Sequence, residues 1–285
     1  MPKTMPKPLL PFATWRRISL TTLLLLFPFA VPAQDAALSG KSTGPVVMLP
    51  RLAAQDGQFG LHLPGREYKA GSGWWALACP GRCELYPLSL GIKPQRHPVY
   101  DGDPVPGQLL SFTPPPPVGE VLVLFKPVRL KTELKLQPGP VATYYPGLIP
   151  HLRRPATPGT MEGEVGLPKG QQARLVPTLL LPENTGQPRW ELEAQTPLAL
   201  ELHFDGRRQM LGTFNFGIEG VKALKPSDYL IWAGDLDGDG KPDFLINFDF
   251  QGTDQALFLS SLAQGDELVG EAGRFQYFPI DSAGC

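Results

Sequence analysis

Apolar residues in this chain come in short bursts. They fall at 45–49, 59–63, 74–78, 118–130, 173–181, 198–204, 229–232 and 244–248, and each burst is rich in Val, Leu, Phe or Tyr. Turn-forming residues separate them. There are 34 prolines and 31 glycines among 285 residues, where ordinary usage of about 5% would give about 14 prolines. Proline lacks a backbone donor and clashes inside a helix, so its spread along the chain excludes long helices. No stretch holds a helical period over three turns. The pattern predicts an all-β protein made of two β-rich, sandwich-like units. One connection is predicted in detail: Asp205-Gly206, between 198–204 and 207–211, is a tight-hairpin pair.

Composition shifts suggest where the units begin and end. Residues 34–44 are small and polar, and are expected to be a disordered N-terminus. An N-terminal β unit is expected over 45–150, a linker over 151–159 and a C-terminal β unit over 160–285. The linker holds Arg153-Arg154-Pro155 and Thr157-Pro158-Gly159. Thr113 and the four prolines after it read as a stiff connector. No fixed-period repeat runs along the chain.

The first 33 residues read as a signal peptide. Lys3, Lys7, Arg16 and Arg17 precede an apolar run at 23–31, and Val31-Pro32-Ala33 offers small residues for cleavage after Ala33. The run is shorter than the ~20 residues a membrane span needs, so no span is expected once the leader is removed. The expected location is the periplasm or the cell exterior. Cleavage would remove four of the 26 basic residues and none of the 27 acidic ones, leaving 22 against 27 and a net charge of −5. That balance argues against a nucleic-acid partner, whose phosphates are held mainly by Lys and Arg. An oxidising destination permits one disulfide among Cys79, Cys83 and Cys285. Pro-Gly-Arg between the first two brings them close through a turn. A bridge from Cys285 to either of them would close a far longer loop, which stabilises more in the chain-entropy account. Both pairings stand at this point.

The densest chemistry is Asp235-Leu236-Asp237-Gly238-Asp239-Gly240-Lys241-Pro242-Asp243. Carboxylates stand at relative positions 1, 3, 5 and 9, and Lys241 at position 7 can offer its backbone carbonyl. These are the offsets at which a tight loop surrounds calcium with oxygen. Gly240 at position 6 allows the sharp turn. Four carboxylates so close repel one another unless a cation lies among them. With no His or Cys nearby, the donor set favours Ca2+ over zinc or copper. Position 12 is Ile246, where an EF-hand needs a bidentate Glu, and apolar strand-like runs flank the loop on both sides.

Residues 233–246 resemble the calcium loop of FG-GAP/VCBS-type repeats, found in integrin α chains and many exported bacterial proteins. The resemblance covers 229–248. It implies that Asp235, Asp237, Asp239, Asp243 and the Lys241 carbonyl bind calcium. A propeller needs several such blades and only one is present, so a complete propeller is not expected. Leu257-Phe258-Leu259-Ser260-Ser261 and the closing Gly284-Cys285 resemble exported bacterial proteins that carry a single such loop. Asn247, Asp249 and Asp254 follow closely, and read as strand-end and loop polar residues.

Elsewhere the chemistry is sparse. His62, His97, His151 and His203 are scattered, and no nucleophile elbow, zinc-protease motif or phosphate loop is present. Trp74 and Trp75 are strand neighbours, so one ring is expected in the core and the other nearer solvent. An exposed aromatic there, or at Tyr144-Tyr145, can stack on a carbohydrate or protein partner. The expected function is therefore an exported calcium-binding protein, a binding or interaction module in which the ion is structural. The alternatives are an exported hydrolase whose site is assembled from distant residues, and a structural component of the envelope.

Overall fold

The structure is a computed structural model and describes residues 41–50, 58–59, 68–97, 105–115, 121–130, 134–145, 162–179, 198–214, 224–249 and 253–277. The expected leader at 1–33 and the expected linker at 151–159 lie outside the described residues, as do His62, His151 and Cys285.

Strands occupy most of what is described. In chain order they are β1 (Lys41–Thr43), β2 (Val46–Pro50), β3 (Gln58–Phe59), β4 (Gly71–Ala78), β5 (Glu84–His97), β6 (Val105–Thr113), β7 (Val121–Pro127), β8 (Gly139–Pro140) and β9 (Ala142–Tyr145). After them come β10 (Gly163–Gly166), β11 (Gln172–Leu179), β12 (Leu198–Phe204), β13 (Arg207–Thr213), β14 (Leu230–Asp235), β15 (Asp243–Asn247), β16 (Thr253–Leu259) and β17 (Gly270–Tyr277). A single-turn helix, α1 (Pro226–Tyr229), leads into β14. The protein is all-β, and among the described residues its sheets form neither a closed barrel nor propeller blades. No helix of the described residues is long and apolar enough to cross a membrane.

Among the described residues three antiparallel sheets result. One has seven strands, ordered β2-β7-β4-β5-β6-β3 with β8 beside β5. One has four, ordered β10-β11-β12-β13, and one has six, ordered β1-β17-β16-β15-β14-β9. The six-stranded sheet is the middle layer, and alternation along its strands shows why. Ile231, Trp232, Leu245, Leu257, Leu259 and Phe275 join a core shared with the seven-stranded sheet. Leu230, Ala233, Phe244, Ile246, Ala256 and Phe258 join a second core shared with the four-stranded sheet. Burial on both faces requires apolar residues at nearly every position, which is the composition seen at 229–232 and 244–248. Ile231 and Trp232 face the same core because a bulge there breaks the register, pairing Leu230 with Ile246 and Trp232 with Leu245.

The hairpin expected at Asp205-Gly206 is present. β12 and β13 pair up to Phe204 opposite Arg207. Asp205 and Gly206 both hold positive φ, at 51° and 70°, as a type I′ turn demands. The expectation of disorder through residue 44 is corrected at Lys41–Thr43, which pairs with β17 as an edge of the middle sheet. β9, which like β1 precedes the expected linker, forms the opposite edge against β14. Segments before the expected linker thus supply both edges of the sheet that carries the aspartate loop.

Candidate metal centre

The aspartate loop joins β14 to β15, whose ends pair at Gly234 and Asp243. The sequence sets this geometry locally. Gly238 and Gly240 adopt φ of 71° and 84°, a region closed to most side chains. The Gly240 amide donates to Asp235 Oδ2 at 3.0 Å, and the Lys241 amide donates to Asp239 Oδ1 at 2.8 Å. The chain therefore curls around its own carboxylates.

Asp235, Asp237 and Asp239 are brought together, each offering one oxygen, with these atoms within 4.8 Å of one another. Asp237 is only 4% exposed. Its Oδ1 and the Oδ1 of Asp235 are buried without a hydrogen-bond partner. Leaving a buried carboxylate oxygen unsatisfied is expensive, and among the described residues no Lys or Arg forms an ion pair with these aspartates. Burial pushes the Asp235 carboxyl above its ordinary value, with the Asp239 and Asp237 charges adding to the shift. A cation placed among the three would satisfy the free oxygens and oppose that shift. The oxygen-only donor set fits a hard metal ion, so the cluster can hold one.

Asp243 stands beside this group and is fully buried. Its Oδ2 accepts the Leu236 amide at 2.7 Å, and its Oδ1 accepts the Ser260 amide at 2.8 Å. It clips the start of the loop to a turn 17 residues further on. Burial pushes its carboxyl well above the usual range, and Asp237 adds to this.

Two participants escaped the sequence reading. Ser260 and Ser261 lie on the 3-10 turn Ser260–Leu262 that follows β16. The Ser260 hydroxyl lies 3.1 and 3.0 Å from the two Asp239 oxygens and 3.1 Å from Asp243 Oδ1. The Ser261 hydroxyl donates to Asp237 Oδ2. The expected polar neighbours do other work. Asp254 is fully buried and binds Arg274 through both oxygens, at 2.6 and 2.9 Å. Asn247 donates to the Asp228 carbonyl at 3.4 Å.

No family model, curated protein or solved structure matches this chain. The likeness of 233–246 to FG-GAP/VCBS loops therefore rests on those residues alone.

The other candidates separate cleanly. Cys79 and Cys83 sit at disulfide distance, 2.03 Å between sulfurs, at the end of the β4–β5 hairpin. Trp74 is buried between Tyr68 and Phe112. Trp75 is half-buried and lines an open groove of about 500 Å³ with Val128, Leu130, Leu134 and Leu136. Tyr144 is half-buried on β9; burial raises its hydroxyl first, and the loop carboxylates of Asp235, Asp243 and Asp239 raise it further. His203 bonds Glu201 at 2.7 Å beside an open hollow of about 310 Å³. That hollow is lined also by Gln172, Phe204, Asp205, Arg207 and Arg208, with no Ser, Thr or Cys to act as a nucleophile.

Proposed function

We propose that this chain is an exported calcium-binding protein in which the ion is a structural clamp, and that the clamped scaffold serves as a binding or interaction module. The observation that carries the calcium reading is Asp237. Its carboxylate is almost fully buried, keeps one oxygen unpartnered, and belongs to a three-carboxylate cluster. A buried, uncompensated carboxylate of this kind is a strong request for a cation. Asp235, Asp237 and Asp239 would be its side-chain ligands. The loop resemblance adds the Lys241 carbonyl and Asp243.

Position supports the structural role. The site closes one end of the middle sheet, where the loop joins β14 to β15, and the adjoining Ser260 and Ser261 hydroxyls are engaged with its own aspartates. Recognition of a protein or carbohydrate partner would then fall to partly exposed aromatic surface such as Trp75. Export is proposed from the basic and apolar start of the sequence, and it suits calcium, whose extracellular modules bind at about 10⁻⁴–10⁻³ M.

The test is thermal unfolding of the purified protein with calcium and with chelator. Calcium raises the melting temperature, and Asp237→Ala abolishes the rise. Identical melting curves for the wild type in the two conditions would refute the reading.

A further inference from the structure

We infer that Ser260 and Ser261 are positioning residues for the ion, and that through them the ion secures the connection between β16 and β17. This rests on the calcium reading above and extends the site to a second element of the fold.

The Ser261 hydroxyl occupies Asp237 Oδ2. The carboxylate is thereby held by one oxygen while the other, Oδ1, stays free inside a residue only 4% exposed. A carboxylate fixed this way presents its free oxygen to an ion with little rotational freedom left to lose. Ser260 makes a different contribution. Its hydroxyl oxygen lies 3.0 to 3.1 Å from three carboxylate oxygens, with a single hydrogen to offer them. A hydroxyl donates one hydrogen bond at a time, so at any moment lone pairs of its oxygen face carboxylate oxygens that receive no hydrogen. The crowding is repulsive while the carboxylates keep their full charge, and it is relieved when a cation draws that charge away. The Ser260 amide is tied to the same group through Asp243 Oδ1 at 2.8 Å.

The turn and the ion are therefore coupled in both directions. Well-placed hydroxyls tighten binding, and a bound ion steadies the turn. Gly270, which opens β17, packs directly beneath this turn: a Cβ there would lie 2.3 Å from the Leu262 carbonyl oxygen. An ion at the aspartates would thus reach the first residue of β17 through the serines and Leu262.

The experiment is calcium titration by calorimetry on the full purified chain, with amide hydrogen exchange followed across 260–262 in calcium and in chelator. Ser261→Ala should weaken calcium about 10–100-fold, the usual loss when a group that orients a metal ligand is removed. Ser261→Thr keeps the hydroxyl at an exposed position and should restore most of the affinity. Ser260→Ala keeps the backbone amide's hydrogen bond to Asp243 Oδ1, and should blunt the calcium-dependent slowing of exchange across the turn. Melting in chelator identifies any variant that is merely misfolded, and the remaining serine variant then carries the test. Unchanged affinity and exchange in both alanine variants overturn the inference while leaving the calcium reading intact. Loss of affinity that threonine fails to restore overturns it too, because the hydroxyl is then not the group that matters. A wild-type chain that takes up no calcium overturns both.

Discussion

Neutralising Asp237 as Asp237→Asn should raise stability without calcium and forfeit the stability that calcium adds. The cluster holds three carboxylate oxygens within 4.8 Å of one another. Two full charges at that separation repel by about 3.5 kcal/mol at an effective dielectric of about 20. Asp239 is exposed and water reaches that side of the loop, so the relief expected from removing one charge is smaller, about 1–3 kcal/mol. Asparagine keeps the shape of the side chain and still accepts from the Ser261 hydroxyl. In chelator the variant should therefore melt above the wild type. In calcium at a hundredfold excess over its Kd, binding stabilises the wild type by about 2.7 kcal/mol. For a domain of this size that is a rise of about 5–10 °C. The variant, with one ligand oxygen and one charge fewer, should show little of that rise. Scanning calorimetry of both proteins in both conditions reads all four values. If Asp237→Asn melts below the wild type by the same margin in chelator and in calcium, the carboxylate serves packing or hydrogen bonding and the cation argument fails.

Three further substitutions test the scaffold around the site. Gly234→Ala places a Cβ 2.2 Å from the Trp232 ring and 2.4 Å from the Ala142 carbonyl oxygen; overpacking of this kind costs about 1–3 kcal/mol or more, read as a lower urea midpoint. Asp254→Ala strips Arg274 of its bidentate partner beside the Phe248 ring, and should cost about 3–5 kcal/mol while leaving the calcium-induced rise in melting temperature unchanged. Gln209→Ala removes the side chain that accepts from the Leu268 and Val269 amides and donates to the Val269 carbonyl. Stripping those backbone groups should cost about 1–3 kcal/mol, with faster amide exchange at 268 and 269 as the local readout.

What the sequence made legible was local. The Asp205-Gly206 hairpin could be read because the turn needs two residues at positive φ, and that requirement is written in two adjacent letters. The burst at 198–204 became β12 with the same bounds. The carboxylate offsets from Asp235 to Asp239 translated directly into a cluster because two glycines make the loop curl. β5 was illegible for a physical reason. Its Pro87 and Pro94 look like breaks in a strand. Yet residues 84–90 pair with β4 and residues 89–97 with β6, so most of each half has an open side, where a proline lacking its amide hydrogen disturbs no ladder. Ser260 and Ser261 were illegible for another reason. They reach the loop only because β15 pairs with β16, setting Phe244 opposite Phe258, and that register is a property of the folded sheet.

The same antiparallel order explains why one ion can serve two connections. β14 runs toward the loop, β15 away from it, β16 back toward it and β17 away again. The β14–β15 and β16–β17 connections therefore emerge at one end of the middle sheet, side by side. That sheet is apolar on both faces, so polar groups that hold its connections must gather at its ends. Asp243, the first residue of β15, is where the two connections meet: it accepts the Leu236 amide from one and the Ser260 amide from the other. A fully buried carboxylate in that place gathers backbone donors but adds a negative charge to three others. Under the calcium proposal a cation sharing the space would offset those charges and strengthen the hold on both connections, and the unpartnered oxygens of Asp235 and Asp237 are the groups it would satisfy.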